Sequence, residues 1–319
     1  CKKGGYIQAI GTWTRDGGAG PDDLFVAITS EGECIIYSGI DPSSATAWNL
    51  VGVFGIGKPI GRRCLEKAGS DITVITQDGA ISLSTFLPID QVAGLSQAMS
   101  TNIQNEFLKS ARSYSDVFGW QSINYPQGSY SLFNIPKTAL TADQYVINTQ
   151  TGAWCKFTGQ NAACWSLFNG DLYFGSQSGG VVFKADTNSS DNDGDINWKI
   201  RPAFSYYGSR GNKKLFTMCR PNITTNTVLE YVVDLNLNFS DINPTTAPSQ
   251  LGLTVGVWDQ STWDSSNWAD AAVTQAWVTV SGMGECASPT IRGSTNSPNE
   301  SVVLSFTAYD MIWQQGGSL

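Results

Sequence analysis

Residues 162–185, "AACWSLFNGDLYFGSQSGGVVFKA", decide the fold class. Three runs rich in aromatic and β-branched residues are separated by Asn169-Gly170 and Gly179-Gly180. Asn-Gly supplies the two positive-φ residues of a tight hairpin turn, so the segment reads as an antiparallel meander.

The same texture extends back to residue 5. "GYIQAIGTWT" (5–14), "LFVAIT" (24–29), "CIIYSG" (34–39) and "WNLVGVF" (48–54) form a four-stranded unit, and "DITVIT" (71–76) with "AISLS" (80–84) a hairpin. "SINY" (122–125), "SYSLFNI" (129–135), "QYVINT" (144–149) and "AWCKF" (153–157) form another four-stranded unit. "YVINTQTGAWCKFTG" also parallels "VAITSEGECIIYSG", a degenerate internal repeat. Four-stranded antiparallel meanders recurring at this spacing have the size of β-propeller blades. A blade cannot cover both faces alone, so neighbours must stack.

One segment departs from this pattern. Val92, Leu95, Met99, Ile103, Phe107 and Leu108 form a stripe at helical period. It predicts a helical insertion over about 88–118, packed on the flank of the sheets or serving a subunit contact. After residue 186 the polar run "DTNSSDNDGD" marks a domain boundary. The strand-like runs beyond it predict a β-sandwich over 187–319. The expected fold is therefore all-β: propeller blades with a helical insertion over 1–186, then a sandwich-like domain. The chain opens on Cys1 rather than Met and is expected to be part of a longer protein.

Composition narrows the function. The 319 residues include 11 Trp, 11 Tyr and 33 Gly but no His. That removes Ser-His-Asp and Cys-His catalysis and the His-containing zinc sites. A net charge of −8 argues against gripping DNA through its phosphates. Seven widely spaced cysteines without a C-x-x-C suggest buried thiols, as in "ECIIY" and "AACWSLF", rather than zinc or a disulfide framework. No apolar run is long enough to cross a membrane.

Four stretches carry residue types that could form a site. "VFGIGKPIGRR" (53–63) has the glycines and lysine of a phosphate cradle, but Pro59 follows Lys58 where Ser or Thr is required, and no helix pattern follows. It reads as a link between sheets, with Arg62 and Arg63 pairing to carboxylates of a neighbouring blade or subunit. "DNDGD" offers Asp191, Asp193 and Asp195 as a weak calcium candidate, but lacks the later ligands of a calcium loop and favours a solvated turn. Trp258, Trp263 and Trp268 recur every five residues, as an interaction row or as wedges anchoring a loop. Asp22, Asp23, Asp41, Asp71 and Asp78 all sit in turns, and nothing singles out a catalytic pair. No catalytic residue and no cofactor is assigned.

Taken together, "IGTWTRDGGAGPDDLFVAITSEGECIIYSG" with the following "GRRC" stretch, and "YVINTQTGAWCKFTGQNAACWSLFNGDLYFGSQSGGVVFKAD", resemble propeller-bearing tail structural proteins of short-tailed bacteriophages. The resemblance covers about residues 5–186 and extends more loosely beyond. It implies a virion tail protein, a nozzle or hub below the portal. It further implies a homo-oligomeric, six-membered ring that contacts portal, adaptor and other tail proteins or fibres and lets DNA pass without tight binding. It implies no enzyme activity. A cell-surface glycan binder using the tryptophan row is the alternative, and a carboxylate-only glycoside hydrolase a third reading.

Overall fold

The computed structural model describes residues 2–14, 23–86, 98–226, 229–241, 249–250, 272–274, 276–296 and 302–318. The protein is all-β, built from several small antiparallel sheets. It divides into two compact units, Cys1–Asp186 and Thr187–Leu319.

The first unit holds four sheets in chain order. β1 (Ile7–Thr14), β2 (Asp23–Thr29), β3 (Glu33–Gly39) and β4 (Trp48–Gly55) form the first, each strand paired with the next. β5 (Leu65–Ala68), β6 (Asp71–Thr76) and β7 (Gly79–Ser82) form the second. β8 (Gln121–Tyr125), β9 (Tyr130–Pro136), β10 (Ala142–Asn148) and β11 (Trp154–Thr158) form the third, and β12 (Ala162–Phe168), β13 (Asp171–Ser176) and β14 (Val182–Lys184) the fourth. The Asn169-Gly170 turn has the expected geometry, with φ of 52° and 85°.

Successive sheets share cores. Val26, Ile28, Cys34 and Ile36 of the first sheet pack with Ile72, Val74 and Ile81 of the second. Ile75 and Ala80 of the second pack with Phe133, Ile135 and Tyr145 of the third. Ile123, Leu132 and Val146 of the third pack with Trp165 and Leu172 of the fourth. Strand alternation makes this possible: Phe133 and Tyr145 lie directly opposite on one face, and Leu132 and Val146 on the other. Sheets apolar on both faces must be covered on both.

Among the described residues, two helical pieces follow the second sheet. α1 (Leu83–Phe86) is a single turn, and a 3-10 turn over Met99–Ile103 leads into α2 (Gln104–Tyr114). The helical stripe therefore holds from Met99 through Leu108, with Phe107 fully buried against Trp120 and Tyr145. Val92 and Leu95 lie outside the described residues.

Among its described residues, the second unit places two sheets around one core. β15 (Ile196–Ile200), β21 (Ala287–Thr295), β17 (Glu230–Leu237) and β18 (Ser249–Gln250) form one sheet, in that spatial order. In the other, β16 (Asn212–Thr225) lies between β22 (Leu304–Ser318) on one side and β19 (Ala272–Thr274) with β20 (Val278–Gly284) on the other. Tyr231, Val233 and Ile291 from the first meet Cys219, Ile223 and Val280 from the second.

Candidate functional site: the seams between successive sheets

The most highly organised polar groups of the first unit lie along the seams where one sheet meets the next. The first strands of successive sheets are neighbours: β1 beside β5, β5 beside β8, β8 beside β12. Side chains near these strands tie the seams. Gln8 Nε2 donates to Gly61 O at 2.6 Å, joining the first strand to the link into the second sheet. Arg63 Nη1 donates to Gln121 Oε1 at 3.2 Å, and the two residues also form a parallel backbone bridge. Gln121 in turn donates from Nε2 to Trp165 O at 2.8 Å and accepts from Trp165 N at 2.9 Å.

A second amide deepens the last seam. Asn134 is fully buried, and its Nδ2 donates to Gly119 O at 2.8 Å and Ala162 O at 3.0 Å. Its Oδ1 accepts from Gln144 Nε2 at 2.9 Å and from Trp165 Nε1 at 3.1 Å. Gln121, Asn134 and Gln144 lie directly opposite one another on three neighbouring strands. Buried amides that satisfy backbone carbonyls fix register, because any slip leaves polar groups unpaired.

The helical insertion is fastened to its neighbours in the same way. Ser100 Oγ accepts from Ala80 N at 3.1 Å, and Trp120 Nε1 donates to Tyr114 O at 2.7 Å. Ser110 and Tyr145 share a hydrogen bond of 2.8 Å between their hydroxyls. Beside it, buried Asp143 receives both Lys137 and Lys156 on one carboxylate oxygen, the latter at 2.8 Å. Burial pushes the Asp143 carboxyl up, but the two ammonium groups outweigh that and hold it below its usual range. Glu66 on β5 has the opposite balance: burial raises it, offset only partly by a backbone hydrogen bond from Asn124.

The "GIGKPIGRR" link is not a cradle. Lys58 pairs with Glu31 at 3.2 Å, and Pro59 forms a bridge with Thr76. Gly61, at φ +74°, lies so close to Trp120 that an added Cβ would sit 2.8 Å from the tryptophan Cβ. Within the chain Arg63 bonds the amide of Gln121, and both Arg62 and Arg63 are exposed. Asp191 and Gly194 exchange two backbone hydrogen bonds in a tight turn, with φ of 48° at Asn192 and 67° at Asp193. Asp195 Oδ1 accepts from Asn296 at 3.1 Å. Among the described residues no three His, Cys, Asp or Glu side chains are grouped as a metal would require, and Asp191 and Asp193 lie in this turn with Asp195 just after it. Trp258, Trp263 and Trp268 lie outside the described residues.

Cys34 is a buried thiol, pushed by desolvation up to about 12. Cys164 is only half-buried, because strand alternation places it opposite the face that carries Trp165. Among the described residues no helix is long and apolar enough to cross a membrane. Compared with protein-family models and with curated proteins, the chain matches none.

Proposed function

We propose that this chain is a structural component of a bacteriophage tail. In this reading the four sheets of the first unit are propeller blades, and the second unit is a β-sandwich that serves as a platform for other tail proteins. The observation that carries the proposal is the ordered stacking of sheets. Each meander covers the next in chain order, with first strands side by side and amide ties across the seams. A body held by shared cores and buried hydrogen bonds is stiff, and stiffness is what a channel component needs. The polar groups described above are spent on one another and on backbone carbonyls, a pattern that suits a mechanical role.

In the proposed assembly, six copies form a ring below the portal, and DNA passes through it. The net charge of −8 supports passage without adhesion. The isolated protein is therefore expected to leave DNA mobility unchanged at physiological salt. The test is the protein composition of purified tail-bearing particles. The chain should be present in fixed proportion to the portal protein; its absence from intact particles refutes the proposal.

A further inference from the structure

The last strand of each sheet in the first unit has one edge that no described strand pairs. Such an edge is a row of unpaired N–H and C=O groups, and proteins protect it by shortness, charge or cover. Three of the four edges are protected in these ways. β7 has four residues and is covered, with Ala80 N donating to Ser100 Oγ at 3.1 Å. β11 has five and carries Lys156, paired with Asp143. β14 has three and ends on Lys184, paired with Asp171 at 2.7 Å.

β4 is the exception. It runs for eight residues, "WNLVGVFG", without a charge or a proline. Ile56 N donates inward to Gly32 O at 2.9 Å, so alternation turns the backbone groups of Phe54 and Gly52 toward β3. The N–H and C=O groups of Val53 and Gly55 then point to the open side. At the other end Trp48 N faces outward and is taken by Ser44 O at 3.0 Å, which places the groups of Leu50 on the open side too. Val51 between them is the extra residue of a bulge opposite Tyr37. Leu50 is 53% exposed and Val51 51%.

These groups define what fits. An extended chain is the partner that meets outward N–H and C=O groups at alternate residues. The cross-strand rows specify its side chains. A residue opposite Val53 continues the row Ile10, Ala27, Ile35 and Val53, and one opposite Phe54 continues Ala9, Ile28, Cys34 and Phe54. Both rows are apolar, so the segment must be apolar at consecutive positions. The bulge argues against two β4 strands pairing with each other. Their outward groups, at intervals of three and then two residues, would run in opposite orders. We infer that β4 receives an uncharged, β-branched segment of a different polypeptide as a fifth strand of the first sheet. The inference rests on this edge alone and stands apart from the tail reading.

The experiment uses the whole chain and a fluorescent peptide, ITVIT (the sequence of Ile72–Thr76), flanked by lysine pairs for solubility. The same peptide with proline at its centre is the control. Binding of the first peptide should saturate in fluorescence anisotropy, and amide exchange over 48–56 should slow in the complex. Val53→Pro removes an outward donor while sparing the ladder to β3, and should weaken binding at least about tenfold with circular dichroism unchanged. Leu50→Lys, which adds the kind of charge that β11 and β14 carry, should weaken it likewise. An absence of saturable binding, equal binding of the proline peptide, or affinity unchanged by either substitution would overturn the inference. So would slow exchange over 48–56 in the chain alone, which would mean that the edge is already covered. Slowing that grows with chain concentration in the absence of peptide would make a second copy the occupant, and would overturn it as well.

Discussion

Gln121, at the start of the third sheet, exchanges two hydrogen bonds with the backbone of Trp165 in the fourth, at 2.8 and 2.9 Å. The contact works like an extra rung of β-ladder supplied by a side chain, and it satisfies a donor and an acceptor that the seam would otherwise strand. Gln121→Leu removes both at once and leaves the Trp165 backbone groups buried without partners. The expected loss is about 2–4 kcal/mol by denaturant unfolding. Gln121→Glu retains the acceptor and should cost less at neutral pH than the leucine variant.

Phe107 anchors the helix. Its ring lies 6.3 Å from both Trp120 and Tyr145 and is fully buried. Phe107→Ala should destabilise the protein by about 3–5 kcal/mol, the range for emptying an aromatic core site. Faster amide exchange over 104–114 should accompany the loss. An unaffected midpoint would mean that the helix contributes little to the stack.

Two carboxylates give opposite pH dependences. Asp143 is held low by Lys137 and Lys156, so its stabilisation is present above the unfolded-state carboxyl pKa and is lost as pH falls through the folded value. Glu66 is held high, so the folded state binds its proton more tightly, and stability declines as pH rises through the raised value. Asp143→Asn should therefore destabilise at neutral pH and lose its effect in acid. Glu66→Gln should stabilise at neutral pH and likewise converge with wild type in acid. Thermal midpoints measured from acid to neutral pH check both signs.

In the second unit, Lys214 is fully buried, and its ammonium group donates to the carbonyls of Ser209, Asn212 and Glu285, the last two at 3.0 and 3.2 Å. The side chain thereby pins the loop before β16 to the turn between β20 and β21. Lys214→Met retains the apolar stem but strands the carbonyls, at an expected cost of about 1–3 kcal/mol in denaturant unfolding.

The meanders were legible because their core residues are large and their turns carry Gly at positive φ, as at Gly32, Gly79 and Gly170. Several strands were not, β5 and β21 among them. β5 reads "LEKA", and its short, charged sequence gives no alternation to detect. β21 reads "ASPTIRGST", which has the composition of a loop, yet it lies between β15 and β17. Its buried Thr290 is reconciled with the core by a hydrogen bond of 2.6 Å from Asn236. The amide ties were also missed. Gln121, Asn134 and Gln144 each interrupt an apolar strand, but their alignment in one row depends on register, which a linear pattern does not display. The apolar outer face of the first sheet was partly readable, since "LFVAIT" and "CIIY" are apolar at consecutive positions rather than at alternate ones.

The proposed tail role is tested most directly by electron cryo-microscopy of phage particles whose genome carries the gene for this chain. The account predicts a symmetric ring of copies at the tail, with the four stacked sheets of each copy recognisable in the density and Gln121 bridging the third and fourth. Particles that contain no copy of the chain, or copies whose sheets separate rather than stack in chain order, would contradict it.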